Sequence, residues 1–255
     1  MAEFTLDEMR ACRDALENRI AAACAKCNRP RGSVMLIWVS KFHPLASVEN
    51  AFALGAKEFG ENRVQEAVEK FTEKRPGVRC HVIGPVQSNK LKKAALVADC
   101  IHSIESVDAV EKLESVCAAA GKTLDILFQV NTSEEATKSG VSMAGAEAFL
   151  NSLPEPKRLR YVGLMTIGKN TGVAEDSREG CREKLDKEPE QRGIDQGDHE
   201  MELECLLHTV DISRSVVIAH DRLCALSDSL KRQHCKLHRT CKDRHGTDCQ
   251  ISAVL

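Results

Sequence analysis

Aromatic residues are scarce in this 255-residue sequence, and none of them lies beyond Tyr161. The chain has one Trp, one Tyr and seven Phe. Because aromatic side chains supply much of the area that a core buries, the segment after Tyr161 lacks a usual component of a core. The overall hydrophobic content of 42% still permits a sizeable core in the part before it.

Long apolar runs and an excess of one charge are also missing. No stretch of about eighteen apolar residues occurs, so the sequence predicts no membrane span. Residues 1–5 show no basic region followed by an apolar one, so no secretory signal is predicted. A net charge of -2 argues against binding nucleic acid or a membrane by bulk electrostatics. We therefore expect a cytoplasmic protein that binds neither.

Cysteine and histidine, by contrast, are abundant and unevenly placed. Six of the twelve cysteines lie from Cys181 onward, and six of the nine histidines lie after Asp198. In a cytoplasmic chain most of these cysteines should be free thiols or metal ligands. The C-terminal part therefore differs in composition from the rest.

The first two-thirds of the chain alternates short apolar runs with helical patterns, as in right-handed β/α units around a parallel sheet. Thr5 and Glu8 have capping-box spacing and predict the start of a first helix. The predicted strands are Val34–Lys41, Glu58–Gly60, Cys80–Gly84, Cys100–Ile104, Leu124–Asn131 and Leu159–Ile167. The predicted helices between them cover Val48–Leu54 (with Ser47 as its cap), 63–73, 91–98, 108–120 and 144–152.

Lys41 stands at the end of the first predicted strand, where β/α barrels place their chemistry. A lysine there can form a Schiff base with a carbonyl compound when its amine is neutral. The alternative is an ordinary solvated lysine at the end of a strand. This stretch alone does not separate the two interpretations.

Several segments together resemble the pyridoxal 5'-phosphate homeostasis protein family, in order and with matching spacing over about residues 5–185. The segments are Val39–Lys41, Phe59–Glu66, His81–Lys90, Gln129–Asn131, Lys138–Gly140 and Gly163–Ile167. The resemblance implies an α/β fold, a (β/α)8 TIM-type barrel of the alanine racemase N-terminal type. Six of its units are readable, and the last two are unrecognisable.

We therefore predict a barrel over residues 1–185 and an atypical Cys/His-rich tail over residues 186–255, in place of the last barrel units. Within the tail, Leu203–Val210 and Ser215–Ala219 are candidate strands, and Leu223–Leu230 is a candidate helix.

The resemblance also implies a cofactor site at the mouth of the barrel. Lys41 would bind pyridoxal 5'-phosphate as a Schiff base, while Asn62, His81 and Met165 would contact it from the ends of the second, third and sixth strands. Each has a plainer alternative: a turn asparagine, a hydrogen-bonded core histidine and a core methionine.

The function implied is intracellular pyridoxal phosphate homeostasis, by carrying or buffering the cofactor without turnover. The expected partners are pyridoxal phosphate and apo-enzymes that use it, and the expected state is a monomer. The rival of another class is an amino-acid racemase on the same barrel. Racemases of this type carry a second, β-rich domain that supplies a catalytic tyrosine, and no such domain is readable here.

The phosphate half of the site is missing from the sequence as written. The family places a Ser/Gly-Met-Ser stretch and a Val-Arg-Ile-Gly stretch near the end of the barrel, and neither occurs here. After Gly180 the only glycines are Gly193, Gly197 and Gly246, in other contexts. One hypothesis is that a frameshift or a divergent or chimeric gene has replaced the family's last units.

The other hypothesis gives the tail its own function. Cys224, Cys235, Cys241 and His245 have a spacing within the loose range of zinc fingers. Nearby lysines and arginines would form a basic patch for RNA. Fingers that bind RNA stack bases on aromatic side chains, and the tail has none.

Overall fold

The computed structural model describes residues 4–26, 28, 30–133, 135 and 138–167, and the backbone of 216–219 and 251–254. The α-helices in this part are α1 Leu6–Lys26, α2 Leu45–Ala53, α3 Val64–Phe71, α4 Leu91–Val97, α5 Val107–Ala119 and α6 Met143–Asn151. The strands are β1 Val34–Val39, β2 Glu58–Glu61, β3 Arg79–Val82, β4 Cys100–Ile104, β5 Leu124–Asn131, β6 Val141–Ser142, β7 Leu159–Ile167, β8 Val216–Ala219 and β9 Ile251–Val254.

The predicted strands and helices before residue 168 are all present, with bounds that differ by up to three residues; β1, for example, ends at Val39 and not at Lys41. The two-residue β6 was not predicted, and one helix start needs a correction. The capping box forms, because Glu8 Oε2 accepts hydrogen bonds from the Thr5 amide and hydroxyl, each at 2.8 Å. Helix α2, however, follows Pro44 directly, and Ser47 is its third residue. Ser47 donates its amide to the Pro44 carbonyl at 3.0 Å, so the prediction that Ser47 caps this helix was wrong.

The strands form one sheet that closes into a barrel. Parallel pairing runs from β1 through β2, β3, β4 and β5 to β7. Strands β8 and β9 complete the circle between β7 and β1, and the two-residue β6 pairs with β5 outside it. The predicted α/β barrel is therefore confirmed, with eight strands around the ring.

The closure departs from a regular β/α barrel in strand direction. Strand β8 pairs antiparallel with both β7 and β9, while β9 is parallel to β1. Strand β8 corresponds to the candidate strand Ser215–Ala219, whereas the sequence predicts no strand at the position of β9. Two strands from the predicted tail thus pair with the barrel sheet. The candidate strand Leu203–Val210 and the candidate helix Leu223–Leu230 lie outside the described residues.

Alternation along each strand separates two apolar cores. Residues that point outward pack beneath the helices, and Phe59, Val82, Ile101, Ile126 and Phe128 belong to this outer core. Residues that point inward form a smaller cluster of Ile37, Ile83, Cys100, Leu127 and Met165. Gly60 also faces inward, where a Cβ atom would lie 3.1 Å from Ile37 Cγ2, so a side chain there would require Ile37 to shift by a few tenths of an ångström.

Ion pairs line the interior near the amino ends of the strands. Asp125 accepts hydrogen bonds from Arg79 Nη2 at 2.7 Å and from Arg160 Nε at 2.5 Å. Glu58 lies 4.0 Å from Arg79 Nη1. The opposite, carboxyl end of the sheet holds the loops with the predicted site. Among the described helices, none has the length and apolarity needed to cross a membrane.

Candidate functional site

Lys41 lies two residues after the end of β1, at the carboxyl end of the sheet. The Ser40 amide still donates to the Gly60 carbonyl at 3.0 Å, so the ladder between β1 and β2 extends past Val39. The chain then turns, with His43 donating its amide to the Ser40 carbonyl at 3.1 Å. Lys41 itself is half-buried.

Strand alternation gives Lys41 the same parity as the inward-facing residues Ile37 and Val39. Ser40 has the opposite parity and is buried against the outer layer. In register, Val39 stands opposite Gly60, and Lys41 and Asn62 each follow two residues later, beyond the last paired residues of β1 and β2. The structure therefore brings Lys41 and Asn62 to neighbouring strand ends.

A buried ion pair supports the residue before Lys41 from outside the barrel. Glu61 has 0% and Lys70 has 8% of its side chain exposed, and Lys70 Nζ lies 2.7 Å from Glu61 Oε1. Lys70 also donates to the Ser40 carbonyl at 2.7 Å, and the Ser40 hydroxyl donates to Glu61 Oε1 at 2.7 Å. Burial raises the pKa of Glu61 above its ordinary value, against the lowering effect of Lys70 and Ser40.

Glu66 supports the residue after Lys41. Its Oε2 accepts the Phe42 amide at 2.8 Å and lies 3.3 Å from Lys70 Nζ. Burial works to raise the pKa of Glu66, but the Phe42 amide and Lys70 outweigh it, so this pKa lies below its ordinary value. The Arg63 guanidinium lies over the Phe42 ring, 5.4 Å from its centre. Phe42 has a φ of 64°, a strained conformation for a non-glycine residue that these contacts hold in place.

Asn62 is half-buried and packs tightly against the β3–α4 loop. A Cβ atom on Gly84 would lie 2.4 Å from the Asn62 carbonyl oxygen and 2.7 Å from its side-chain oxygen. Only glycine allows this approach, which fixes where Asn62 stands at the mouth.

His81 lies within β3, facing a second histidine on β4. Its Nδ1 is 2.8 Å from His102 Nε2, and its Nε2 is 2.7 Å from Glu58 Oε2. His81 is 3% exposed. Both of its ring nitrogens are engaged within the protein, as in the plainer alternative of a hydrogen-bonded core histidine. His81 thus lies below the mouth and supports it through the interior.

His81, Cys100 and His102 together place three donor atoms within 4.8 Å of one another. Thiolate and imidazole at such distances can bind zinc or copper. Here, however, the two imidazoles hydrogen-bond each other. Burial raises the pKa of the Cys100 thiol well above its ordinary value, which favours the protonated thiol. The three residues are therefore best described as a polar group in the barrel core.

Met165 belongs to the interior apolar cluster and is 1% exposed. Its thioether side chain lies with Ile37, Ile83, Cys100 and Leu127, deeper than Lys41. The predicted residues thus occupy two levels. Lys41 and Asn62 stand at the mouth, and His81 and Met165 lie in the interior beneath it.

The loop after β5 forms the next part of the mouth. Gln129 Nε2 donates to the Ser139 carbonyl at 3.0 Å, and Asn131 Nδ2 donates to the Glu135 carbonyl at 3.0 Å. Thr132 and Thr166 join β5 to β7 through their hydroxyls at 2.7 Å. These bonds order the part of the mouth between β5 and β7.

Sequence reasoning missed the roles of Glu61, Glu66 and Lys70. All three lie within eight residues of Asn62. The four-residue spacing of Glu66 and Lys70 on one helix was the available signal. The zinc hypothesis for Cys224, Cys235, Cys241 and His245, and any phosphate-binding loop after residue 167, lie outside the described residues.

The sequence matches a protein family, over residues 11–193, described as Alanine racemase, N-terminal domain. It is 35% identical over 156 residues to the pyridoxal phosphate homeostasis protein of Escherichia coli K12, which covers 60% of this chain and 67% of that protein. The protein of the same name from Schizosaccharomyces pombe is 35% identical over 166 residues, covering 64% of this chain and 68% of the relative.

Solved structures with a similar fold include PipY, with and without bound pyridoxal phosphate (PLP), and an alanine racemase. The structure of PipY from Synechococcus elongatus without PLP is 33% identical, with a TM-score of 0.55, covering 67% of this chain and 82% of PipY. The structure of PipY with PLP bound has a TM-score of 0.56 at 28% identity, covering 77% and 84%. Alanine racemase from Clostridium difficile 630 has a TM-score of 0.51 at 8% identity, covering 74% of this chain and 47% of the racemase, a likeness of fold alone.

Proposed function

Because the chain belongs to the alanine racemase N-terminal domain family and, within it, to the pyridoxal phosphate homeostasis proteins, we propose that it binds pyridoxal 5'-phosphate through Lys41 at the mouth of the barrel. The single observation that carries this proposal is the position of Lys41. It lies two residues after the end of β1, at the carboxyl end of the sheet, where Asn62 follows the end of the neighbouring strand β2.

The residues present fit the ring and aldehyde parts of this cofactor. Pyridoxal phosphate would supply an aldehyde at this position, and the neutral amine of Lys41 would hold that aldehyde covalently. Asn62 offers a half-buried amide to a ring substituent at the mouth. Met165 gives the interior beneath it an apolar surface. His81, with both nitrogens engaged, acts by supporting that surface.

We propose that the protein carries or buffers the cofactor and does not turn over a substrate. A racemase needs an acid–base group on each face of the bound substrate. Tyr161, the only tyrosine in the chain, donates its hydroxyl to the Pro154 carbonyl at 2.8 Å and packs in the outer core. Burial also raises its pKa above the ordinary value. In the described part of the chain, Tyr161 is therefore unsuited to proton transfer at the mouth.

We also propose that the protein acts as a monomer in the cytoplasm and passes the cofactor to apo-enzymes. Transfer is expected as recovery of activity in a cofactor-free enzyme mixed with the loaded protein. Sedimentation at several protein concentrations would test the monomer.

The test of the binding proposal is borohydride reduction after mixing with pyridoxal phosphate, followed by peptide mapping. We expect one labelled peptide, containing Lys41, and a longer-wavelength absorbance than that of the free aldehyde. Lys41→Ala should lose both signals, while Lys74→Ala, a change at a more exposed lysine, should keep them. Labelling spread over many lysines and unchanged in Lys41→Ala would refute the assignment.

The carrier proposal has its own test. An amino-acid racemisation assay on the loaded protein should give no more exchange than free pyridoxal phosphate does. Exchange well above that level, lost in Lys41→Ala, would favour the racemase instead.

A further inference from the structure

We propose that Lys70 is a positioning residue for Lys41, acting through Glu61 and Glu66 from outside the barrel. This inference rests on the proposed function, in which Lys41 holds the cofactor. Lys70 belongs to α3, on the far side of the sheet from the interior. Within the described part of the chain, Lys70 donates hydrogen bonds to Ser40, Glu61 and Glu66 and to neither Asn62 nor Lys41, so its effect on Lys41 passes through the backbone.

The hydrogen bonds of this network hold the residue before Lys41 and the residue after it. Before it, Lys70 Nζ donates to the Ser40 carbonyl, and the Ser40 hydroxyl donates to Glu61, both at 2.7 Å. After it, the Phe42 amide donates to Glu66 Oε2 at 2.8 Å. Lys70 binds both carboxylates, at 2.7 Å and 3.3 Å. One ammonium group therefore fixes both neighbours of Lys41.

The charges make this arrangement depend on Lys70. Two carboxylates, with 0% and 17% of their side chains exposed, share a single ammonium group. Without it, Glu61 and Glu66 repel each other in a poorly solvated place. Burial already raises the pKa of Glu61, and Glu66 adds to that increase. Loss of Lys70 therefore releases the turn from Ser40 to Phe42.

Position matters for the covalent step because the amine must approach one face of the aldehyde carbon at a suitable angle to its C=O bond. A misplacement of about 1 Å can cost roughly 100-fold in the rate of such a reaction. Phe42, with its φ of 64°, gives the turn a conformation that needs external support. The buried network of Lys70, Glu61 and Glu66 supplies that support.

The experiment compares two ligands on three variants. Pyridoxal phosphate reports capture by Lys41, as the rate of borohydride-fixed label. 4-Deoxypyridoxine phosphate has no aldehyde, so its affinity reports the ring and phosphate contacts alone. The variants are Lys70→Met, the charge-balanced pair Lys70→Met with Glu61→Gln, and Lys74→Met. Lys74 is the control, since it too forms an ion pair with a carboxylate, Asp99 at 2.5 Å, but its side chain is 44% exposed.

We expect both Lys70 variants to capture pyridoxal phosphate at least about tenfold more slowly, with the affinity for the deoxy analogue unchanged. Lys74→Met should match the wild type in both. General damage to the fold would instead weaken both ligands together. Equal loss of both ligands, or no loss of capture, overturns the positioning role.

A second measurement keeps this inference separable from the proposed function. Hydrogen exchange of the peptide spanning Ser40–His43, without any ligand, should speed up in the charge-balanced pair and stay unchanged in Lys74→Met. If the wild type fails to label Lys41, the proposed function falls, and exchange alone decides whether Lys70 holds the turn. Unchanged exchange in the Lys70 variants overturns the inference whatever the labelling shows.

Discussion

Glu61 and Lys70 form an ion pair at 2.7 Å in which neither side chain is more than 8% exposed. Glu61 ends β2, and Lys70 lies on the helix that follows it. Within the described residues, Glu61 Oε1 accepts two hydrogen bonds and Oε2 accepts none. The pair therefore concentrates its interactions on one oxygen, on the side towards Ser40.

This arrangement predicts a large stability cost for removing one partner. Lys70→Met should lower the free energy of unfolding by about 3–5 kcal/mol, because it leaves a buried carboxylate without its counter-charge. Adding Glu61→Gln should recover part of that loss, since a neutral amide costs less to bury. Denaturant unfolding of the four forms gives the coupling as a double-mutant cycle.

The control for this cycle is Lys74→Met, whose pair with Asp99 is 44% exposed on the lysine side. Exposed pairs contribute about 0–1 kcal/mol, so this change should fall in that range. If Lys70→Met and Lys74→Met lowered the free energy of unfolding equally, the buried pair would contribute no more to stability than the exposed pair.

The raised pKa of Glu61 predicts a pH dependence of defined sign. A carboxyl whose pKa is raised in the folded state binds protons more strongly there than in the unfolded chain. The contribution of Glu61 to the free energy of unfolding therefore favours folding at low pH. It is lost as pH rises from the ordinary pKa of 4.5 through the raised pKa of the folded state. We expect the wild type to lose stability relative to Glu61→Gln across that window.

Urea unfolding at a series of pH values above 4.5 measures this difference directly. Taking the difference from Glu61→Gln removes most of the contribution that the other carboxyl groups make to the pH dependence, because both proteins share those groups. A stability difference that stays flat, or that grows in favour of the wild type, would contradict a raised pKa at Glu61.

Gly84 should tolerate no larger residue. In Gly84→Ala the new Cβ would lie 2.4 Å from the Asn62 carbonyl oxygen, so Asn62 must move. Overpacking of this kind typically costs about 1–3 kcal/mol. Displacing Asn62 should also weaken the binding of pyridoxal phosphate, which titration of the bound cofactor would measure.

Gly32→Ala is the matched control for Gly84→Ala, because no atom lies within 4 Å of a Cβ built there. It should leave stability and cofactor binding close to those of the wild type. If Gly84→Ala and Gly32→Ala have the same stability and the same affinity for the cofactor, the close approach of Gly84 to Asn62 does not affect binding.

The missing phosphate-binding stretches predict how the cofactor's phosphate contributes. Each charge-assisted hydrogen bond to a phosphate is worth roughly 1.5–3 kcal/mol. Without those bonds, pyridoxal and pyridoxal phosphate should bind with similar affinity, as measured by titration of each. A strong preference for the phosphorylated form would place anion donors in the segment from residue 168 onward.

The described cysteines should differ sharply in reactivity. Cys12 is exposed on α1, while Cys24, Cys80, Cys100 and Cys117 are buried. Burial raises the pKa of Cys80 to about 12, which suppresses the reactive thiolate. Brief iodoacetamide treatment of the native protein should label Cys12 first among these five. Early labelling of Cys80 or Cys100 would mean that the barrel opens readily.

The sequence by itself determined the β/α order up to Ile167 and the strand bounds to within about two residues, because apolar alternation and caps act over a few neighbouring residues. Thr5 and Glu8 show this at the first helix. Ser47 shows the limit, since Pro44 starts α2 earlier than the cap pattern predicts. The position of Lys41 at a strand end was likewise readable, because β1 ends where its apolar run ends.

Only the tertiary structure decided what surrounds those positions. The antiparallel direction of β8 and the pairing of β9 with β1 depend on contacts between strands far apart in the chain. Local sequence patterns do not predict such long-range pairings. His81 was readable as a strand residue, but its bonds to His102 and Glu58 appear only when β2, β3 and β4 lie side by side. Lys70 reads as a surface lysine on a helix until α3 packs against the sheet. That packing turns its ammonium group towards Ser40 and Glu61, next to the lysine on which the proposed function rests.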